Sequence, residues 1–290
     1  MEIALNTPVV SLIPVATAPW EATAGPAELV EIAKTADRLG FDYLTCSEHV
    51  AITPAEQPGH GTRFYDPLAT FGFLAAHTSR IRFLTYALGL GYHHPLEIAK
   101  RYGTLDLISG GRLVLGLGLG ADRVEFELLG MPFDGRGERA DDALRVLRLA
   151  LGSRGPISYA GDQFGFAGVV VDPSGLRRPP MWVAGGTLRS LDRAIALADG
   201  WMPAFTLPAE RVARMLRSFD RPDGFTVVQP VFPPLDPIGD PDGARAALAA
   251  RAEAGADVAV VTLAHTSLTH YLEQLDALRA AARAFVGWAA

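Results

Sequence analysis

Along the 290-residue chain, short apolar runs alternate with stretches in which apolar positions recur every three or four residues. The runs lie at 2–6, 41–46, 81–88, 112–119, 180–185, 199–204, 225–232 and 257–264, each of a length suited to a strand covered on both faces. Between the first two, "PAELVEIAKTADRLG" places Leu29, Ile32, Ala33, Ala36 and Leu39 on one helical face. Asp66-Pro67 and His94-Pro95 open further helices, because proline is tolerated in a first turn and Asp66 suits an N-cap. The same periodicity predicts helices over 138–152, 187–198, 208–218, 241–254 and 267–286. Eight strand and helix alternations in a chain of this length predict an α/β fold: a single (β/α)8 barrel over residues 1–290.

Two stretches break the alternation. Residues 153–179 are rich in glycine and proline and predict a short insertion, with room for a hairpin, before the fifth strand. "VFPPLDPIGDPDG", residues 231–243, reads as a loop after the seventh strand, on the barrel face where sites are built.

Composition narrows the function. With 26 Lys and Arg against 32 Asp and Glu, a net charge of −6 and no basic block, no nucleic-acid partner is expected. "MEIALNTPVV" lacks a basic segment ahead of an apolar one, and no run is long enough to span a bilayer, so a soluble, cytoplasmic protein with no membrane partner is expected. Cys46 is the one cysteine, so no internal disulfide forms, and its apolar setting reads as core filling in a reducing compartment. No metal site is expected: His93 and His94 are adjacent and diverge on extended backbone, which suits turn and cap roles. His60 and His77 read as loop and helix surface.

Two glycine motifs carry candidate chemistry. In "GGRLVLGLGLGADRVEF", Gly116, Gly118 and Ala121 have the spacing of a dinucleotide-binding turn. That turn belongs to the first βα unit of a doubly wound sheet and needs an acidic residue at the end of the next strand. Three strand-like runs precede this one, and Asp141 and Asp142 fall in the helical "GERADDALRVLRLAL", whose charges read as a solvated face opposite Ala143, Leu144 and Leu147. Gly116, Gly118 and Gly120 instead alternate on one side of an interior strand, for tight packing or for close approach of a planar ring. In "MWVAGGTLRS", an apolar run ends at Gly185-Gly186 with Thr187 heading a helix, which is either an ordinary turn or a cradle of amides for a phosphate.

Taken together, "GFDYLTCSEHV", "HHPLEIAKRYGTLDLISGGRLVLGLGLG", "EFELLGMPFDGRGERADDALRVLRLAL" and "PPMWVAGGTLRSLDRAIALADGWMP" resemble the luciferase-like monooxygenase superfamily, in particular its coenzyme F420-dependent oxidoreductase branch. The resemblance runs through about residues 1–220. It implies a deazaflavin or flavin ring in the C-terminal mouth of the barrel, with its phosphate at Gly185, Gly186 and Thr187 and its ring against Gly118. A bulge with a non-prolyl cis peptide at Tyr86-Ala87 would back the ring. His49, ending the second strand, is implied as the proton-transfer group, a task suited to imidazole; Glu48 is a weaker candidate because strand neighbours point oppositely. His265 is a candidate substrate contact, and Trp20, Phe64 and Tyr65 are candidate pocket walls.

The implied activity is hydride transfer between F420 and a small organic substrate. An FMN-dependent monooxygenase is the alternative, and a non-catalytic flavin-binding protein, which would have no need of His49, is a third. Relatives commonly form homodimers. The short insertion argues against the long lid of bacterial luciferases and against light emission from an aldehyde.

Overall fold

The eight apolar runs become staves of a closed parallel barrel. The computed structural model describes residues 1–53, 57–61, 63–204, 206–283 and 285. Its strands are β1 (Glu2–Leu5), β2 (Tyr43–Cys46), β3 (Arg82–Thr85), β4 (Leu88–Gly89), β5 (Leu113–Gly118), β6 (Ile157–Ala160), β7 (Gly165–Val169), β8 (Met181–Ala184), β9 (Gly200–Met202), β10 (Thr226–Leu235) and β11 (Val258–Leu263). β1 pairs with β2 and β11, and β3 pairs with β5 to close the ring, with β4 continuing the third stave. The insertion supplies the antiparallel hairpin β6–β7, as its composition suggested.

Helices return the chain between staves: α1 (Pro26–Leu39), α2 (Gln57–His60), α3 (Pro67–Ala75), α4 (Pro95–Ile108), α5 (Arg123–Leu128), α6 (Arg136–Ala150), α7 (Leu188–Leu197), α8 (Ala209–Leu216), α9 (Pro241–Glu253) and α10 (Leu268–Ala282). The face read from α1 is buried as expected, and Gly40 ends that helix in the left-handed conformation at φ 84°. Asp66 and His94 are N-caps, accepting from the Ala69 and Leu96 amides. No described helix is long and apolar enough to cross a membrane, and the described residues contain no group of three or more His, Cys, Asp or Glu placed to hold a metal ion.

Strand alternation divides the core in two. Ile3, Leu5, Ala259 and Val261 face the helices, whereas Ala4, Val114, Val228, Val258 and Val260 face the barrel interior with Tyr43, Trp182 and Met202. Each large aliphatic side chain enclosed this way contributes roughly 1.5–3 kcal/mol of transfer free energy. Cys46 is buried, and burial pushes its thiol pKa up, which fits a packing role.

Four features depart from the sequence reading, the first being that His60, read as loop, ends the short helix α2. The proline-dense stretch is not loop from 231 onward: β10 runs to Leu235, with Pro230 opposite Val260. Proline is tolerated there because β9 pairs only with Thr226 and Val227, so the later part of that edge requires no amide donor, and the register shifts between Val231 and Leu235. The short helix α5 went unforeseen because Val124, Phe126 and Leu128 alternate like a strand; its start signal is Asp122, which accepts from the Val124 and Glu125 amides. Finally, α6 is not a plain solvated face. Asp142 is buried and accepts from the Gln163 and Phe164 amides at 2.9 and 3.1 Å and from the Tyr159 hydroxyl, tying the insertion hairpin to the barrel.

Candidate active site

At the C-terminal mouth, a cavity of about 660 Å³ lies between the ends of β5, β8 and β9 and the starts of α6 and α7. Tyr86, Ala87, Gly118, Gly185, Gly186 and Thr187, singled out separately in the sequence, all line it. The Tyr86–Ala87 peptide is cis, as the resemblance implied.

The three alternating glycines divide their work instead of sharing one wall. A Cβ on Gly116 would lie 2.0 Å from the Thr85 carbonyl oxygen, so this position is close barrel packing. Gly118 faces the cavity, where a Cβ would stand 3.4 Å from that of Ala87 and narrow the space. Gly120 lies beyond β5, turning the chain at φ 80°.

The opposite end of the cavity is lined by arginines and by the start of a helix. Gly185 donates its amide to Met202 O at 3.0 Å, and Thr187 and Ser190 cap each other reciprocally. A Cβ on Gly185 would lie 2.5 Å from that of Ser190, so glycine lets this cap close. The amides of Leu188 and Arg189 begin α7, where a helix offers donors without intrahelical acceptors and the positive end of its dipole. Arg136, Arg189 and Arg193 line the same end. Arg189 pairs with Glu138 at 2.7 Å, and Arg193 with Asp141. Arg136 stacks 3.8 Å from the Phe133 ring centroid and donates to Gly120 O. These arginines escaped the sequence reading; the available signal was Arg189, two residues past Thr187.

Beside the cavity, the Glu48 amide donates to Ala87 O at 3.4 Å, bringing the end of the second stave against the wall carrying Tyr86 and Ala87. His49 does not line the cavity; its Nδ1 lies 3.0 Å from Oε2 of Glu125, and its ring packs 4.6 Å from that of Phe64. Glu125 also accepts from the Tyr92 hydroxyl at 2.7 Å and the Val50 amide at 2.5 Å. Burial alone would raise the pKa of Glu125, but the hydrogen bonds from His49, Tyr92 and Val50 outweigh it and hold the group below its ordinary value. The ionised carboxylate accepts a hydrogen bond from Nδ1–H, a tautomer assigned from this network. Glu125 was missed because no spacing rule links positions 76 residues apart.

Glu48, two residues past the end of β2, makes a separate set of contacts. Its oxygens accept from the Gly89 amide and meet His93 Nε2, both at 2.8 Å. His93 is thus more than a turn residue, and the Glu48 hydrogen bond raises its pKa. His265 is a core histidine, not a substrate contact: its side chain is 3% exposed, and Nδ1 accepts from Trp20 Nε1 at 2.9 Å. Trp20 and Tyr65 stand outside the lining of the cavity, as does Phe64, which instead backs His49.

The luciferase-like monooxygenase family profile matches residues 7–237. The chain belongs to this family. An uncharacterised protein of Mycobacterium bovis is 29% identical over 185 residues, which span 60% of this chain and 64% of that relative. Among solved structures, the monooxygenase RslO1 from Streptomyces bottropensis superimposes with a TM-score of 0.77 at 22% identity, covering 97% of this chain and 98% of that one. An F420-dependent secondary alcohol dehydrogenase, solved with an F420-acetone adduct, gives 0.74 at 15% identity, covering 96% and 98%. Likenesses of this kind show the fold, a luciferase-like (β/α)8 barrel.

The cavity suits a cofactor with a flat ring and an anionic tail. Gly118, Ala87 and Ala184 leave room that longer side chains would fill, and a Cβ on Gly186 would already press within 3.2 Å of Ala204. The start of α7 and its arginines would hold the anionic tail.

Proposed function

We propose that this luciferase-like chain is an F420-dependent oxidoreductase that moves hydride to or from a small organic substrate, with His49 exchanging the accompanying proton. A deazaflavin bound in the cavity supplies the hydride-exchanging position. The chain supplies the rest: Arg136, Arg189 and the start of α7 grip the anionic tail, and the Tyr86–Ala87 and Gly118 wall supports the ring. His49 exchanges the proton through its imidazole while Glu125 holds Nδ1 and fixes the ring. The observation that carries the reading is this imidazole and carboxylate pair joined, through the Glu48 amide and Ala87 O, to the wall of an anion-ended cavity.

A second reading, an FMN-dependent monooxygenase, is favoured by the monooxygenase RslO1 among the fold's neighbours. Cofactor identity decides between them, since reduced deazaflavin reacts poorly with oxygen. Parallel equilibrium titrations with F420 and FMN, followed by oxygen uptake with each reduced form, test the assignment. F420 binding without oxygen consumption is expected; tight FMN binding with oxygen consumption overturns it.

A further inference from the structure

The cavity contains one polar group that the anion site and the proton-transfer pair leave unused. Three phenols are spent on carboxylates: Tyr43 on Glu2, Tyr92 on Glu125 and Tyr159 on Asp142. The Tyr86 hydroxyl has no hydrogen-bond partner among the described residues, yet it is not a sealed, unsatisfied atom. Tyr102 and Tyr271 border cavities of about 10 Å³, each the size of one water. Tyr86 borders the one of about 660 Å³.

The surroundings of Tyr86 single it out further. Its ring packs on the inner barrel cluster beside Ala87 and Ala184. The other polar side chains lining the cavity sit at the starts of α6 and α7, where Thr187 and Ser190 bond each other and Arg189 and Arg193 pair with acidic residues. Tyr86 thus brings a hydroxyl to the wall formed by the barrel strands, away from those helix starts. Burial raises its pKa, so it stays a neutral donor. A ring filling this space would strip water from that hydroxyl, and a ligand offering no acceptor would leave it unsatisfied.

We propose that the Tyr86 hydroxyl is a specificity contact, donating a hydrogen bond to a carbonyl oxygen on the polar edge of the bound ring. The inference rests on the cofactor reading above and adds to it the group that selects a ring carrying an acceptor. The test compares wild type with Tyr86→Phe in titrations with F420 and with FMN, recording affinity and the absorption of the bound ring. Thermal unfolding and inorganic phosphate binding serve as controls for the fold and for the anion end. The expected result is an affinity loss of about tenfold and a shifted absorption band, with unfolding midpoint and phosphate binding unchanged. Equal affinity and an identical band in the variant overturn the inference while the cofactor reading stands. If wild type binds neither chromophore, both fall. Should Tyr86→Phe unfold early, crystals of wild type soaked with the bound chromophore decide: the hydroxyl lies about 3 Å from a ring oxygen, or the inference is wrong.

Discussion

His49 Nδ1 lies 3.0 Å from Oε2 of Glu125, a carboxylate with no exposed side-chain surface, so the end of one barrel stave is oriented by the short helix that follows another. On the proposed reading, the imidazole of His49 exchanges the proton while Glu125 orients it. His49→Ala is expected to lower turnover by roughly 10²–10⁴-fold while cofactor affinity stays within about twofold, because the change removes proton transfer and leaves the cavity lining intact. Stopped-flow turnover beside equilibrium titration checks this. Unchanged turnover would show that His49 is not the proton-exchanging group.

Glu125 acts through His49, so its effect has a different signature. Glu125→Gln keeps the shape and a hydrogen-bonding oxygen but removes the negative charge that holds His49 Nδ1 and the Val50 amide. Turnover is expected to fall by about tenfold with KM little changed. Glu125→Asp, which restores the charge, should recover part of the turnover. A variant that merely loosened the fold would lower the unfolding midpoint and would not be rescued by aspartate.

At the other end of the cavity, Arg189 is 68% exposed and paired with Glu138, so removing it costs little stability. Arg189→Ala is expected to weaken F420 binding by about 3- to 10-fold and to flatten the salt dependence of that binding. Titrations at two ionic strengths measure both. An unaltered salt slope would mean that the tail lies elsewhere.

Much of this architecture is legible in one dimension, because each stave and helix buries its own apolar face. The eight runs, the α1 stripe and the glycine turn before α7 need only local spacing. His49 and the Tyr86–Ala87 wall came from motif resemblance. What spacing could not supply is partnership between distant segments: Glu125 with His49 across 76 positions, and Arg193 with Asp141 across 52. Asp142 misled for the same reason, since its helical spacing looks solvated until the Tyr159 hairpin folds over it. The extent of β10 likewise depends on where β9 stops, which β10's own prolines do not reveal.

The hairpin gives a direct check. Asp142 gathers two backbone amides and a phenol, a set that no neutral apolar side chain replaces. Asp142→Ala is expected to cost roughly 1.5–3 kcal/mol and to expose β6–β7 to proteolysis while the barrel stays folded. Limited proteolysis with fragment mass measurement reads this. Protection equal to wild type would show that Phe164 and Phe166, packed against the core, hold the hairpin without the carboxylate.

Stability toward acid is set in part by His265. Burial first, and His270 second, push its pKa from 6.5 down to about 4. As pH falls through 6.5 the unfolded chain binds a proton that the folded chain refuses until about 4, so stability present above 6.5 is lost across that window. The loss is on the order of 3 kcal/mol at the acid end. Glu21 Oε1 lies 3.5 Å from His265 Nε2 and would favour the charged ring, but its oxygens already accept from the Val9 and Ala18 amides. Burial also raises the pKa of Glu21, so its protonation as pH falls partly offsets the loss. Denaturant midpoints measured from pH 7.5 to 4 should therefore drop more steeply for wild type than for His265→Phe. The variant should be weaker at neutral pH, where it lacks the acceptor for Trp20 Nε1, and flatter toward acid. Parallel curves would place the acid sensitivity at another group.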